Sequence, residues 1–193
     1  RVTVRGRVAA DGGVDGSIVV DRLPLSDLGQ LVQAPSLRTG SASGTLLVAG
    51  SRERPRATGA LAIRDATIGR VRLGALDVHA DYAERRLGLD GALFVGGRTA
   101  LTGSASLPLD LALVRGIQRR TADTLSGTVR SDRADLGVLE ALFPDVTRTA
   151  GRLSTAIDLR GTWEQPRLRG QVRLDDAAMA CTPYSMIVRS RAL

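Results

Sequence analysis

Few side chains in this 193-residue sequence could do chemistry. The single His, His79, lies between Asp77 and Asp81. On an extended segment these three share one side, so the carboxylates could tune the imidazole. No plausible nucleophile accompanies it, and an ordinary surface histidine is the expected reading. The single Cys, Cys181, sits between Ala180 and Thr182 and reads as an unpaired small residue, buried or at a sheet edge. One Cys and one His cannot make a disulfide framework or a Cys/His zinc site. There is no Gly-x-Ser-x-Gly elbow and no Gly-rich phosphate loop with its Lys. Asp21, Asp65, Asp132 and Asp176 recur with a repeat described below and are expected to cap turns rather than to work as acid/base pairs. Trp163 is expected to act as an aromatic lid on a strand end, with a membrane-interface anchor as the weaker alternative. The residues thus predict a protein that is not an enzyme and carries no metal and no cofactor.

Composition narrows the classes further. The formal net charge is +7 and all 27 Lys+Arg positions are Arg. Lys and Asn are both absent; they share A-rich codons, so GC-rich coding explains the pair of absences. The arginines are spread along the chain, with short dense runs such as Arg52, Arg54, Arg56 and Arg119, Arg120. With two Phe, two Tyr and one Trp there is little to stack on bases, and no nucleic-acid partner is expected. Charged residues at 24% and hydrophobic ones at 43% exclude a disordered chain. No apolar run approaches the roughly 18 residues of a membrane-spanning helix. The sequence begins at Arg1 with Val2 and Val4 already alternating, which reads as a piece of something longer.

The elements that must position these residues are mostly strands. Leu61 and Ile63 alternate with small or polar neighbours. So do Leu76, Val78, Ala80 and Tyr82; Leu153, Ile157 and Leu159; and Val172 and Leu174. One apolar and one polar face per strand predicts an all-β, antiparallel sheet wet on one side. Asp11-Gly12-Gly13, Asp90-Gly91 and Gly96-Gly97 are expected to be turns. Two segments carry helical spacing instead. One is Leu25, Leu28, Leu31, Val32, with Ser26 or Asp27 as cap and Pro35 following. The other is Leu136, Leu139, Leu142, Phe143, with Asp135 as cap and Pro144 as stop. Each predicts a helix of two to three turns. Residues 108–120 read as an extended connection or a weak helix.

An internal repeat has an offset of 111 residues. Gly16 falls on Gly127, Asp21 on Asp132, Gly40 on Gly151, Gly50 on Gly161, Pro55 on Pro166, Gly59 on Gly170 and Asp65 on Asp176. The helices are expected to slip by three residues, Leu28 matching Leu136. The expected organisation is one continuous unit over 1–193, with repeats at about 16–66 and 127–177 and a strand-rich segment 67–126 between them. Pro55 and Pro166 cannot donate to a ladder and mark hairpin links. Such repeats predict an elongated array. Aliphatic faces with few aromatics fit either a closed two-sheet sandwich or a curved sheet with an open apolar trough.

The order of marks resembles the TamB family of the AsmA-like superfamily. Those marks are Asp27-Leu28 and Asp135-Leu136, Gly-Ser/Thr-x-x-x-Pro-x-x-x-Gly at 50–59 and 161–170, strands running into Asp65-Ala66 and Asp176-Ala177, Leu73-Gly74-Ala75-Leu76, Tyr82-Ala83 and Leu107-Pro108-Leu109-Asp110-Leu111. The resemblance runs from about Gly16 to Asp176. It implies a section of a periplasmic protein of Gram-negative bacteria, anchored in the inner membrane by a helix outside this sequence. It further implies a β-taco groove that carries phospholipid toward the outer membrane, an outer-membrane barrel partner of the Omp85 type, and a link to autotransporter secretion. It implies no catalytic residues.

The leading expectation is therefore a lipid conduit. Its groove lining is predicted from alternation to be Leu61, Ile63, Leu76, Val78, Leu87, Leu89, Leu101, Ile157, Leu159, Val172 and Leu174. An assembly scaffold that adds strands to other β-proteins is the alternative, and a purely structural sandwich the third reading.

Overall fold

A computed structural model describes residues 1–10, 12–27, 37–68, 71–114, 119–142, 145–181 and 186–189. Twelve strands form one unclosed, curved, antiparallel sheet. They are β1 (Val2–Val8), β2 (Gly13–Pro24), β3 (Leu37–Ser51), β4 (Pro55–Ile68), β5 (Val71–Arg72), β6 (Ala75–Ala83), β7 (Arg86–Val95), β8 (Arg98–Pro108), β9 (Leu125–Asp135), β10 (Val146–Gly161), β11 (Pro166–Cys181) and β12 (Met186–Arg189). The order is a meander, each strand pairing with the next, except that short β5 hangs on β4 and β6 takes its place in the row. The expected all-β curved sheet is what forms. The closed two-sheet sandwich is not: among the described residues there is one sheet, in sequence order from β1 to β12.

Turn chemistry explains the meander. Gly96 and Gly97, both at positive φ (59° and 75°), make the two-residue turn from β7 to β8. Asp90-Gly91 is not a turn; it lies inside β7, opposite His79 and Val78. The turn from β6 to β7 falls instead on Glu84 and Arg85, which take positive φ without being glycine. Pro55 and Pro166 open β4 and β11, so the hairpin links are residues 52–54 and 162–165.

Two short helical segments accompany the sheet among the described residues. A helical turn, α1, is described at residues 25–27; Leu28, Leu31, Val32 and Pro35 lie outside the described residues. Helicity already begins at Leu25, so Ser26 and Asp27 sit inside the first turn rather than capping it. The second helix, α2 (Val138–Leu142), has five residues, little more than one turn; Phe143 and Pro144 lie outside the described residues. Asp135 supports its start, its Oδ1 accepting the Gly137 N–H at 2.7 Å. The described part of 108–120 is extended, with a Leu109–Arg120 bridge.

The repeat is conformational as well as sequential. Single-residue bulges interrupt β2, β4, β9 and β11 where the register shifts. Their positive-φ residues are Arg22 (43°) and Arg133 (48°), and Asp65 (53°) and Asp176 (49°), each pair 111 apart. The recurrent aspartates therefore stand at bulges within strands, not at capped strand ends. A bulge bends and twists a strand, and four of them lie toward one end of the sheet. Leu25 and Leu136 are 1% and 0% exposed and share the 111 offset; Leu28 and Leu31, on which the expected three-residue slip rests, lie outside the described residues. Leu25 and Leu136 pack in one cluster with Ala42 and Leu153, Ala66 and Ala177, also repeat pairs, and with Leu73, Leu93 and Val138. α2 touches β5 although three strands separate β4 from β9 in the sheet. The sheet must therefore curl around this cluster.

Candidate functional site

Cross-strand register puts every predicted lining residue on one face. Leu61 pairs with Val78 and Ile63 with Leu76. Leu89 pairs with Ala80, and Leu87 with Tyr82. Leu101 pairs with Leu93. The same face continues through Gly103 to Val129, which faces Ile157, and through Gly127 to Leu159. Val172 then faces Thr155, and Leu174 faces Leu153. Period-2 alternation is the whole reason: without a bulge, direct partners across a ladder share a face. Val2, Val4, Val14, Ile18, Leu46 and Val48 extend the apolar face through β1, β2 and β3.

This face is only partly covered. Near the bulged end the cluster of Leu25 and Leu136 lies over it, and Ile63, Leu76, Leu101 and Leu174 pack against that cluster. Away from it, Leu61 is 40% exposed, Val172 59% and Leu168 71%. Val78, Leu87, Leu89, Ile157 and Leu159 are half-buried. At the opposite end the segment after β8 runs across the strand ends. The Leu109 N–H donates to the Arg85 carbonyl, the Leu113 N–H to the Arg52 carbonyl, and the Leu111 N–H to the Tyr82 hydroxyl at 2.8 Å. Asp110 in this segment is buried and pairs with Arg85 at 3.1 Å. Trp163 braces the segment from the β10–β11 hairpin: its indole N–H donates to the Pro108 carbonyl at 3.0 Å, and Arg120 lies 5.0 Å over its ring. The aromatic lid on a strand end is what the geometry shows.

A row of glycines was missed by reading Gly as a turn marker. Gly6, Gly16, Gly44, Gly59, Gly91, Gly103, Gly127 and Gly170 all lie within strands on the apolar face. Several face a large aliphatic: Gly44 and Leu61, Gly59 and Leu46, Gly91 and Val78, Gly127 and Leu159, Gly170 and Ile157. A Cβ added at Gly6, Gly16 or Gly103 would meet only the adjacent strand's backbone within 4 Å. Nothing described packs down onto the sheet there. The signal was present in the sequence: these glycines keep the period-2 register of the aliphatics on either side.

The opposite face is polar. His79 is exposed there, its Nε2 3.1 Å from Asp81 Oδ2, and its cross-strand partner on β7 is Asp90. Together with Asp77, Ser104 and Thr128 it borders a shallow depression of about 590 Å³. The twist of a sheet makes each face concave along one diagonal. Ser104 and Thr128 hydroxyls are 2.8 Å apart. No cluster of three or more metal-ligating side chains occurs among the described residues. Cys181 ends β11, opposite Val146. No described helix is long and apolar enough to cross a membrane. No protein-family model, curated protein or solved structure matches this chain.

Proposed function

We propose that this chain is a non-enzymatic section of a lipid-transfer protein whose apolar face holds phospholipid acyl chains. The observation that carries the reading is the continuity of that face: aliphatics and glycines from β1 to β11, with no second sheet over them among the described residues. Burial of hydrocarbon is non-directional and is worth about 0.8 kcal/mol per CH₂. A surface of Leu, Val, Ile and Gly suits chains that slide, because it offers no polar anchor. The glycine row leaves space beside the branched side chains. The likeness of the sequence marks to the TamB family supports the same reading, with a periplasmic location, an outer-membrane barrel partner and transport toward the outer membrane as parts of the proposal.

The test is to replace Ile157 and Val172 together with Asp and measure co-purifying phospholipid by mass spectrometry. Leu47→Asp, on the polar side of β3 and 53% exposed, is the control. Lipid is expected to be lost in the first variant and kept in the second; a folded double variant with undiminished lipid overturns the reading. Strand-addition scaffolding makes the opposite forecast, bound unfolded β-peptides instead of lipid in the same preparation.

A further inference from the structure

The polar face of β10 and β11 carries arginines that the fold does not use. Arg160 and Arg167 are direct cross-strand partners, and Arg169 faces Asp158. Like charges directly opposite on adjacent strands destabilise a sheet. Asp158 is already engaged: its Oδ1 accepts from Arg130 at 2.7 Å. Among the described residues no carboxylate pairs with Arg160, Arg167 or Arg169. These three, with Asp158, border a cavity of about 430 Å³. Asp158 and Arg160 also border a neighbouring hollow of about 310 Å³ lined further by Asp90, Ser104, Ser106, Ser126 and Thr128. In the first repeat the positions of Asp158, Arg160, Arg167 and Arg169 are Leu47, Ala49, Arg56 and Thr58, on an equivalent pair of strands. The ladder therefore forms without the cluster.

We propose that Arg160, Arg167 and Arg169 form a binding site for a phosphate ester bearing hydroxyls, its phosphate held by the guanidinium groups and its hydroxyls by the adjoining Ser/Thr side chains. Guanidinium forks match phosphate oxygens and make charge-assisted hydrogen bonds to them. A phosphate between Arg160 and Arg167 removes the like-charge repulsion, and Asp158, already paired with Arg130, leaves the three guanidinium groups to the ligand. The site lies on the face opposite the aliphatics and does not depend on what occupies them. The same chemistry is offered by a soluble polyol phosphate and by a glycerophosphate lipid headgroup.

Two probes separate the sources: glycerol 3-phosphate by calorimetry, and flotation with phosphatidylcholine vesicles made with and without phosphatidylglycerol. The variant R160A/R169T imports the first repeat's residues and so preserves the ladder. The control R5Q/R7Q removes the same charge from the polar face of β1. Binding is expected to weaken at least about tenfold in R160A/R169T and to change little in R5Q/R7Q. Binding of glycerol 3-phosphate establishes a soluble ligand class; binding only to vesicles with phosphatidylglycerol establishes the headgroup. Equal weakening by both variants, or no binding of either probe to the parent protein, overturns the site.

Discussion

The first repeat unit (β2, β3, β4) and the second (β9, β10, β11) share a backbone down to individual dihedral angles, yet present different outer faces. The apolar faces match: Ile18 and Val129, Val48 and Leu159, Leu61 and Val172, Ile63 and Leu174 occupy equivalent places. On the opposite face Val19, Leu47 and Ala49 stand where the second unit has Arg130, Asp158 and Arg160. Val19 and Leu47 are exposed. A repeat diverges fastest where nothing packs, so an aliphatic character kept on one face and changed to charge on the other identifies which face the architecture constrains. The constraint lies on the apolar face and at the bulges.

The strongest way to break the equivalence is at the bulge glycines. Gly40 and Gly151 have φ of 109° and 106°. A Cβ at Gly40 would stand 2.7 Å from the Arg64 carbonyl oxygen, and one at Gly151 2.6 Å from that of Asp176. The atoms met are backbone of the adjacent strand, which cannot move aside as a side chain could. Gly40→Val and Gly151→Val are each expected to cost about 4 kcal/mol, read by chemical denaturation. A loss at one site alone would show that the two bulges are not equivalent.

A smaller effect is expected at the paired leucines. Leu25→Ala and Leu136→Ala each empty a fully buried position in the same cluster and should cost about 3 kcal/mol. Because the two sides share that cluster, the double variant should depart from additivity. Strict additivity in a double-mutant cycle would separate the cluster into two independent halves.

The smallest effect is expected at two serines. Ser43 Oγ accepts the Arg22 N–H at 3.0 Å and Ser154 Oγ accepts the Arg133 N–H at 3.1 Å. These bonds hold the positive-φ residue of each bulge. Ser43→Ala and Ser154→Ala should each cost about 0.5–1 kcal/mol, the net worth of one hydrogen bond with water nearby. Thermal unfolding of the pair measures whether the two bulges are held equally.

Much of this was legible in the sequence, and the failures have one physical source. Alternation placed all eleven lining residues on a common face, because a period of two needs no tertiary information. Pro55 and Pro166 located two hairpin links. The turn at Glu84-Arg85 and the bulges at Arg22, Asp65, Arg133 and Asp176 were not legible, because left-handed conformations were taken by residues other than glycine. Asp90-Gly91 misled for the complementary reason: its glycine serves side-chain volume on the apolar face, not backbone freedom. The two short helices were legible from Leu25 and from Leu136, Leu139 and Leu142; the described part of the second is Val138–Leu142.

The strand order β1 to β12 bears on how the chain finds its structure. Since each strand docks on one that precedes it closely in the chain, no early contact must close a long loop, and a sheet of this size can grow hairpin by hairpin. The same ordering means that a three-strand unit can be duplicated or deleted without rethreading its neighbours. The 111-residue offset, kept to the residue at Leu25 and Leu136, is the mark such a duplication leaves.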